Sequence, residues 1–448
     1  MKKTCVSLML SIVLFLVLHK DATAWSKHPL MAYPILESMP AVANADPVKA
    51  KTLLQFLLEE EQGLEELLAA HEVWAREHIP SYAPRPENLA FSATGNAGDI
   101  LNRFYTAIRI NPNVKRVLYL HLLPGQDKGD REEVHPSELT TLTTLYEMLF
   151  TTFVRLQEGE MVRPMDVLAT ATEEPDYGFD LGLFTDNGTT YGQTYGFGEQ
   201  SFGNPGLEYG TQAPFHMGFY HESWLVFAAA PFLKRTYVEY RIHLFKTLSK
   251  YAFDVGQDYW GWRFMGWTMH YLNDMSMPYH TTVMPAKRPL GMIWINLKAM
   301  LGFPRSIDNA VQLLSNRHTV YEQFQWKVLR QAHLSGDAEH PFLAALANPL
   351  EMVPYDNEFP REVAARESNR AARRNDRLLR RYVPAYLVSD PKNEIAGSHE
   401  LDDLLDVILA EEGPEAIEGL TQMVAERFRA LSMHTRSFVN HMMAHKAD

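Results

Sequence analysis

Nowhere in this 448-residue chain do apolar and polar residues alternate for long enough to build a sheet, whereas the 3.6-residue period of a helix recurs along most of its length. A chain patterned in this way has to bury helix stripes against one another, and an apolar content of 46% supplies a large core. From Pro47 to about His78 the spacing of Leu53, Phe56, Leu57, Leu64 and Leu68 is helical. Similar periods run through Ile100 to Ile110, Leu139 to Leu156, Glu222 to Lys250 and Tyr259 to Met275, where Pro278 stops the run. A last pair spans about 401–412 and 414–443. The expected fold class is all-α, with long loop insertions and a helical C-terminal extension.

Three segments depart from this pattern. Residues 178–212 interleave glycines with Phe179, Phe184, Tyr191, Tyr195, Phe197, Phe202 and Tyr209, which suits a long ordered loop. Such a loop can line a headgroup pocket, stack on bases or simply pack. Residues 290–303 are apolar, and Ile293, Trp294, Ile295 and Leu297 suit either peripheral contact with a lipid surface or a buried helix. The basic run from Arg373 to Arg381 reads as a solvated helix face paired with acids.

The chain opens with Lys2 and Lys3, an apolar run from Cys5 to Leu18, and the small-x-small triplet Ala22-Thr23-Ala24, the pattern of an export signal. Cleavage after residue 24 would leave Trp25 as the first residue of a secreted or periplasmic protein. The apolar run falls short of the roughly 20 residues that a membrane-spanning helix needs. Cys5 is the only cysteine, so the processed chain can form no disulfide, and its stability has to come from packing and metal. Losing Lys2, Lys3, Lys20 and Asp21 makes the formal charge of −13 more negative still, which disfavours sequence-specific nucleic-acid binding and attraction to anionic surfaces.

The chemistry resides in histidines and carboxylates. His270 and Asp274 stand four apart on a helical stretch and so share a face, and Pro278 then frees His280 to point elsewhere. His318 and Glu322 repeat the spacing. Taken singly, the first pair equally suits a hydrogen-bonded core pair and the second a surface pair. The pairs His399/Asp403 and His441/His445 show how common the spacing is, and His434 reads as a lone surface histidine. Trp25 and His28 add a freed amine and an imidazole at the start of the processed chain.

In that combination and order, these residues resemble the zinc-dependent phospholipases C and the related fungal zinc nucleases. The string HYLNDMSMPYH is similar to that family's HYLGD-x-x-x-P-x-H, with His270, Tyr271, Leu272, Asp274, Pro278 and His280 identical. The resemblance covers roughly residues 25–325, with longer intervals between motifs than in the small bacterial enzymes. It implies three zinc ions. One would be held by His270, Asp274 and an earlier acid and histidine, and Asp274 would bridge to a second ion on the Trp25 terminus and His28. A third would sit on His280, His318 and Glu322. The earlier acid is Asp176, with Glu174 in reserve, and the earlier histidine is His216 or His221.

The implied organisation is a signal peptide at 1–24, a catalytic domain at 25–330 and a helical extension at 331–448. The implied activity is hydrolysis of a phosphodiester, most closely that of a phospholipid, by zinc-activated water, with Asp176 orienting or deprotonating that water. Glutamate at position 322 follows the phospholipase form, since the nucleases usually carry aspartate there. A single-strand nuclease on the same scaffold and a non-catalytic helical protein that keeps zinc for folding are the competing readings.

Overall fold

The computed structural model describes residues 27–143, 145–203, 209–285, 287, 289–301, 305–395 and 398–447. The leader and Trp25 lie outside the described residues. The fold is all-α, with 62% helix against 3% strand. Helix α1 (His28–Glu37) has Pro29 in its first turn, where a missing N–H costs no helical hydrogen bond, and it is buried on almost every side. The 47–78 pattern resolves into α2 (Leu53–Glu59) and α3 (Glu61–His78), with Thr52 Oγ1 capping α2 by accepting from the Gln55 amide at 3.3 Å. Helices α4 (Ile100–Ile108) and α5 (Pro164–Ala171) follow.

The expected helix over Leu139 to Leu156 does not form; that stretch contains a 3₁₀ turn at Tyr146–Phe150 and strand Phe153–Arg155. Threonines explain the difference. Thr140 Oγ1 donates to the Tyr177 carbonyl at 3.0 Å and accepts from the Leu142 amide at 3.0 Å, giving the backbone an alternative to the helical ladder. The strands of the described residues form two small antiparallel pairs. Strand β1 (Val48–Lys49) pairs with β4 (Met161–Val162), and β2 (Tyr119–His121) pairs with β3 (Phe153–Arg155) in the register Leu120↔Val154.

The 222–250 pattern also divides, into α6 (Trp224–Ala229) and α7 (Val238–Asp254), because Pro231 cannot continue a helix and starts a 3₁₀ turn. Helix α8 (Asp258–Asp274) is buried from Tyr259 onward and packs on α5 and α7. Its contact with α5 needs glycine at position 266, where a Cβ would stand 2.5 Å from Ala171 Cβ and 2.7 Å from the Leu168 carbonyl. The second half of the chain supplies α9 (Pro289–Met300), α10 (Arg305–Ser335), α11 (Pro341–Ala347), α12 (Arg366–Tyr382), α13 (Leu404–Glu412) and α14 (Pro414–Ala447).

Helix α14 packs on α8, α1, α11 and α12, and one apolar core runs from Leu30 to Met442. His434 is therefore not a surface residue: it is fully buried, with Nδ1 2.7 Å from Ser276 Oγ. In the 178–212 loop Phe184, Tyr195 and Phe197 are buried, and Phe184 and Phe197 pack on Phe215 and Tyr237. On α12, Arg374 pairs with Glu426 and Arg380 with Asp376, as expected of a solvated basic face.

Candidate metal centre

Helix α8 brings His270 and Asp274 to one face, both without solvent exposure. The chain then turns through Met275–Met277, and Pro278 starts a single helical turn, Pro278–Thr281. That turn returns His280 to the same carboxylate, with Nδ1 3.5 Å from Asp274 Oδ1. His28 approaches from the other side, its Nε2 3.8 Å from that oxygen and its ring centroid 4.2 Å from the ring of His270. The other oxygen, Oδ2, faces His216 Nδ1 at 2.9 Å and His270 Nε2 at 3.5 Å. Asp274 thus divides its two oxygens between two sets of imidazoles.

Three groups of donor atoms result: His28, His270 and Asp274; Asp176, His216 and His270; and His280, His318 and Glu322. Within each group the atoms lie within 4.8 Å of one another. His318 and Glu322 present Nε2 and Oε1 2.8 Å apart from successive turns of α10, and the His318 ring stands perpendicular to that of His280 at 5.2 Å.

Neighbouring groups fix which nitrogen faces inward. His270 Nδ1 donates to the Thr172 carbonyl at 2.8 Å, so Nε2 is left for the centre. His216 turns Nε2 toward Asp180 Oδ2 at 3.3 Å and so directs Nδ1 inward. Asp180 is itself held by Arg241 Nη2 at 2.6 Å and by the Tyr271 hydroxyl at 2.6 Å. The His28 amide donates to Glu173 Oε2 at 2.6 Å, which ties the start of α1 to the segment carrying Asp176.

The donor set fits a divalent cation. Both ring nitrogens of His28, both of His280, and Asp274 Oδ1 are buried and make no hydrogen bond among the described residues. Leaving such atoms unsatisfied costs about 1–3 kcal/mol each, which coordination would relieve. Imidazole with carboxylate is the ligand chemistry of zinc and its first-row neighbours. Burial holds His28 down at about 4 and keeps His270 and His318 well below the ordinary histidine range, so all three stay in the neutral form that binds metal. His216 behaves oppositely. Burial opposes its charge, but the adjacent carboxylates of Asp180 and Asp274 raise it to about 10. Burial likewise pushes Asp176 up, whereas Asp274, despite burial, is held down by His270, His216 and His280.

Of the residues read from the sequence, His28, Asp176, His216, His270, Asp274, His280, His318 and Glu322 come together. His221 does not join them: its Nε2 donates to the Arg361 carbonyl at 2.7 Å, outside all three groups. Glu174 is also diverted, forking onto Arg263 and accepting from Trp267 Nε1 at 2.5 Å. Asp180 is the supporting residue that the sequence reading missed. Its one signal was a fourth acid within eight residues of a stretch that also holds Glu173, Glu174 and Asp176. No family model, curated protein or solved structure matches this chain.

Proposed function

We propose that this centre binds zinc and hydrolyses a phosphodiester, and that the protein acts as a phospholipase C on phospholipid. The observation that carries the reading is Asp274, a fully buried carboxylate shared between histidine pairs and flanked by unsatisfied imidazole nitrogens. Zinc held by these groups supplies Lewis-acid charge for the phosphoryl oxygens and lowers the pKa of water. The chain's own residues supply the rest. Asp176 has the most exposed side chain of the ligand carboxylates, at 11% against 0% for Asp274 and 1% for Glu322. It therefore stands where a proton can be accepted from an attacking water. Gln212 Nε2 donates to Asp176 Oδ1 at 3.4 Å and helps fix its orientation.

An exposed apolar patch supports the lipid substrate. Trp294 and Leu297 on α9 are 54% and 40% exposed, and Trp224 on the adjoining α6 is 75% exposed. Lys298 Nζ lies 5.5 Å from the Trp294 ring and Lys234 Nζ 5.0 Å from the Phe227 ring, a mixture of indole and ammonium suited to a headgroup layer. Among the described residues no helix is long and apolar enough to cross a membrane, so this contact is peripheral. Burial of Phe184, Tyr195 and Phe197 removes those rings from base stacking and weakens the nuclease reading.

The test is elemental analysis of the purified protein, followed by parallel assays on vesicles that contain both phosphatidylcholine and anionic phospholipids and on single-stranded DNA. Zinc with release of a phosphorylated headgroup is expected. Release of nucleotides alone would transfer the substrate to nucleic acid, and protein that holds zinc but cleaves neither would support the structural role instead.

A further inference from the structure

A cavity of about 120 Å³ is lined by Leu30, His121, Phe150, Trp326, Arg330 and the turn Leu123–Gly125. It shares its supports with the centre. Leu30 is two residues beyond His28 on α1, and Trp326 and Arg330 lie four and eight residues beyond Glu322 on α10, about 6 and 12 Å along the helix axis. The His121 amide donates to Thr170 Oγ1 at 3.0 Å, and Thr170 is two residues before the carbonyl that orients His270.

Two side chains of this cavity carry buried nitrogens without a hydrogen bond among the described residues. His121 is 1% exposed, and neither of its ring nitrogens makes a hydrogen bond among the described residues, although its backbone is pinned by Thr170 and by the Tyr33 hydroxyl at 3.3 Å. Arg330 Nε is also buried without a hydrogen bond, and its guanidinium lies 5.8 Å from the Phe150 ring, which in turn packs edge-on against Trp326. No carboxylate lines the cavity, although the chain has 55 acidic residues against 42 lysines and arginines. Lys27 and His333 are close enough to reinforce burial in keeping the His121 ring neutral, a sign of positive potential.

We propose that this cavity binds a second anionic group of the substrate. Arg330 supplies the charge, His121 a ring N–H, and Phe150 with Trp326 an aromatic wall. Both α10 residues that line it, Trp326 and Arg330, follow Glu322 on the same helix, which makes that helix the common support of the two sites. A quaternary ammonium would meet the Arg330 cation, so the preferred headgroup carries a further phosphate and is not choline. The assignment to substrate rests on the hydrolase reading, but the capacity to bind an anion does not.

Sulfate serves as the probe, titrated calorimetrically into the full-length protein. Wild type and Glu322→Gln should bind it alike, Arg330→Gln should bind at least about tenfold more weakly, and Arg330→Lys should fall between. The proposal is overturned if wild type binds no sulfate, if Arg330→Gln binds as well as wild type, or if Glu322→Gln abolishes binding, which would place the anion on the metals. In the kinetic arm, KM for phosphatidylinositol 4-phosphate should lie below that for phosphatidylinositol, and Arg330→Gln should erase the difference. Equal KM values in wild type would overturn the substrate assignment. The same comparison between a dinucleotide with and without a 5′-phosphate tells whether the anion belongs to lipid or to nucleotide. Should no phosphodiester be cleaved while sulfate binding still depends on Arg330, the hydrolase reading falls and the anion site stands.

Discussion

At the scale of single residues the centre depends on groups that stand behind the donor atoms and outside all three donor sets. Asp180 orients His216 and neutralises Arg241, both fully buried. Asp180→Asn keeps the shape but strands the guanidinium, so unfolding free energy should fall by about 3–5 kcal/mol and zinc affinity by about 10–100-fold. Denaturant titration and competition with a zinc chelator measure the two effects separately, and an unchanged affinity would remove Asp180 from the support of the site. His434 gives a pH prediction. Burial holds its folded-state value at about 3, below the ordinary 6.5. The unfolded chain therefore takes up a proton that the folded chain refuses, and stability falls as pH drops from about 6.5 toward 3, by up to about 5 kcal/mol for this residue. His434→Gln should flatten that part of a stability–pH curve. The sequence could not show that His434 is buried, because a lone histidine on a helix has no signature until the face it occupies is known. His270, Asp274, His280, His318 and Glu322 were legible because spacing and motif constrain them together. For His216 against His221, only the fold decides.

Among the elements, α8 was readable because its apolar and aromatic residues keep the helical period and Pro278 marks its end, whereas the threonine-rich 139–156 stretch carries helical spacing without helical structure. Side-chain hydroxyls that bond to backbone are invisible to a count of apolar positions. The exposed faces of α6 and α9 allow a direct test of how the protein meets its substrate. Trp224→Ala with Trp294→Ala removes two large exposed rings and no core contact, so partitioning onto phosphatidylcholine vesicles should fall at least about tenfold. Hydrolysis of a short-chain soluble substrate should be unaffected. Sedimentation with vesicles reads the first outcome, and retention of full vesicle binding would refute the interfacial role of this patch.

Across the whole molecule, the donor atoms span His28 to Glu322, so a bound cation ties together segments that are remote in sequence. Stripping the metal with a chelator should therefore lower the thermal midpoint, since the ligand binds the folded form alone. The turn between Asp274 and His280 is braced from behind by α14: Ser276 meets His434, and Thr435 Oγ1 donates to Asn273 Oδ1 at 2.9 Å. Removing residues 331–448 should abolish cooperative unfolding as well as metal binding, which circular dichroism and zinc analysis would register. This buttress has a consequence for the order of events in biosynthesis. Every residue that can grasp the cation is translated well before the helix that holds the grasping turn in place. A nascent polypeptide carrying all its donors would still lack the brace behind them, so the centre would reach its final form only once α14 has left the ribosome and docked.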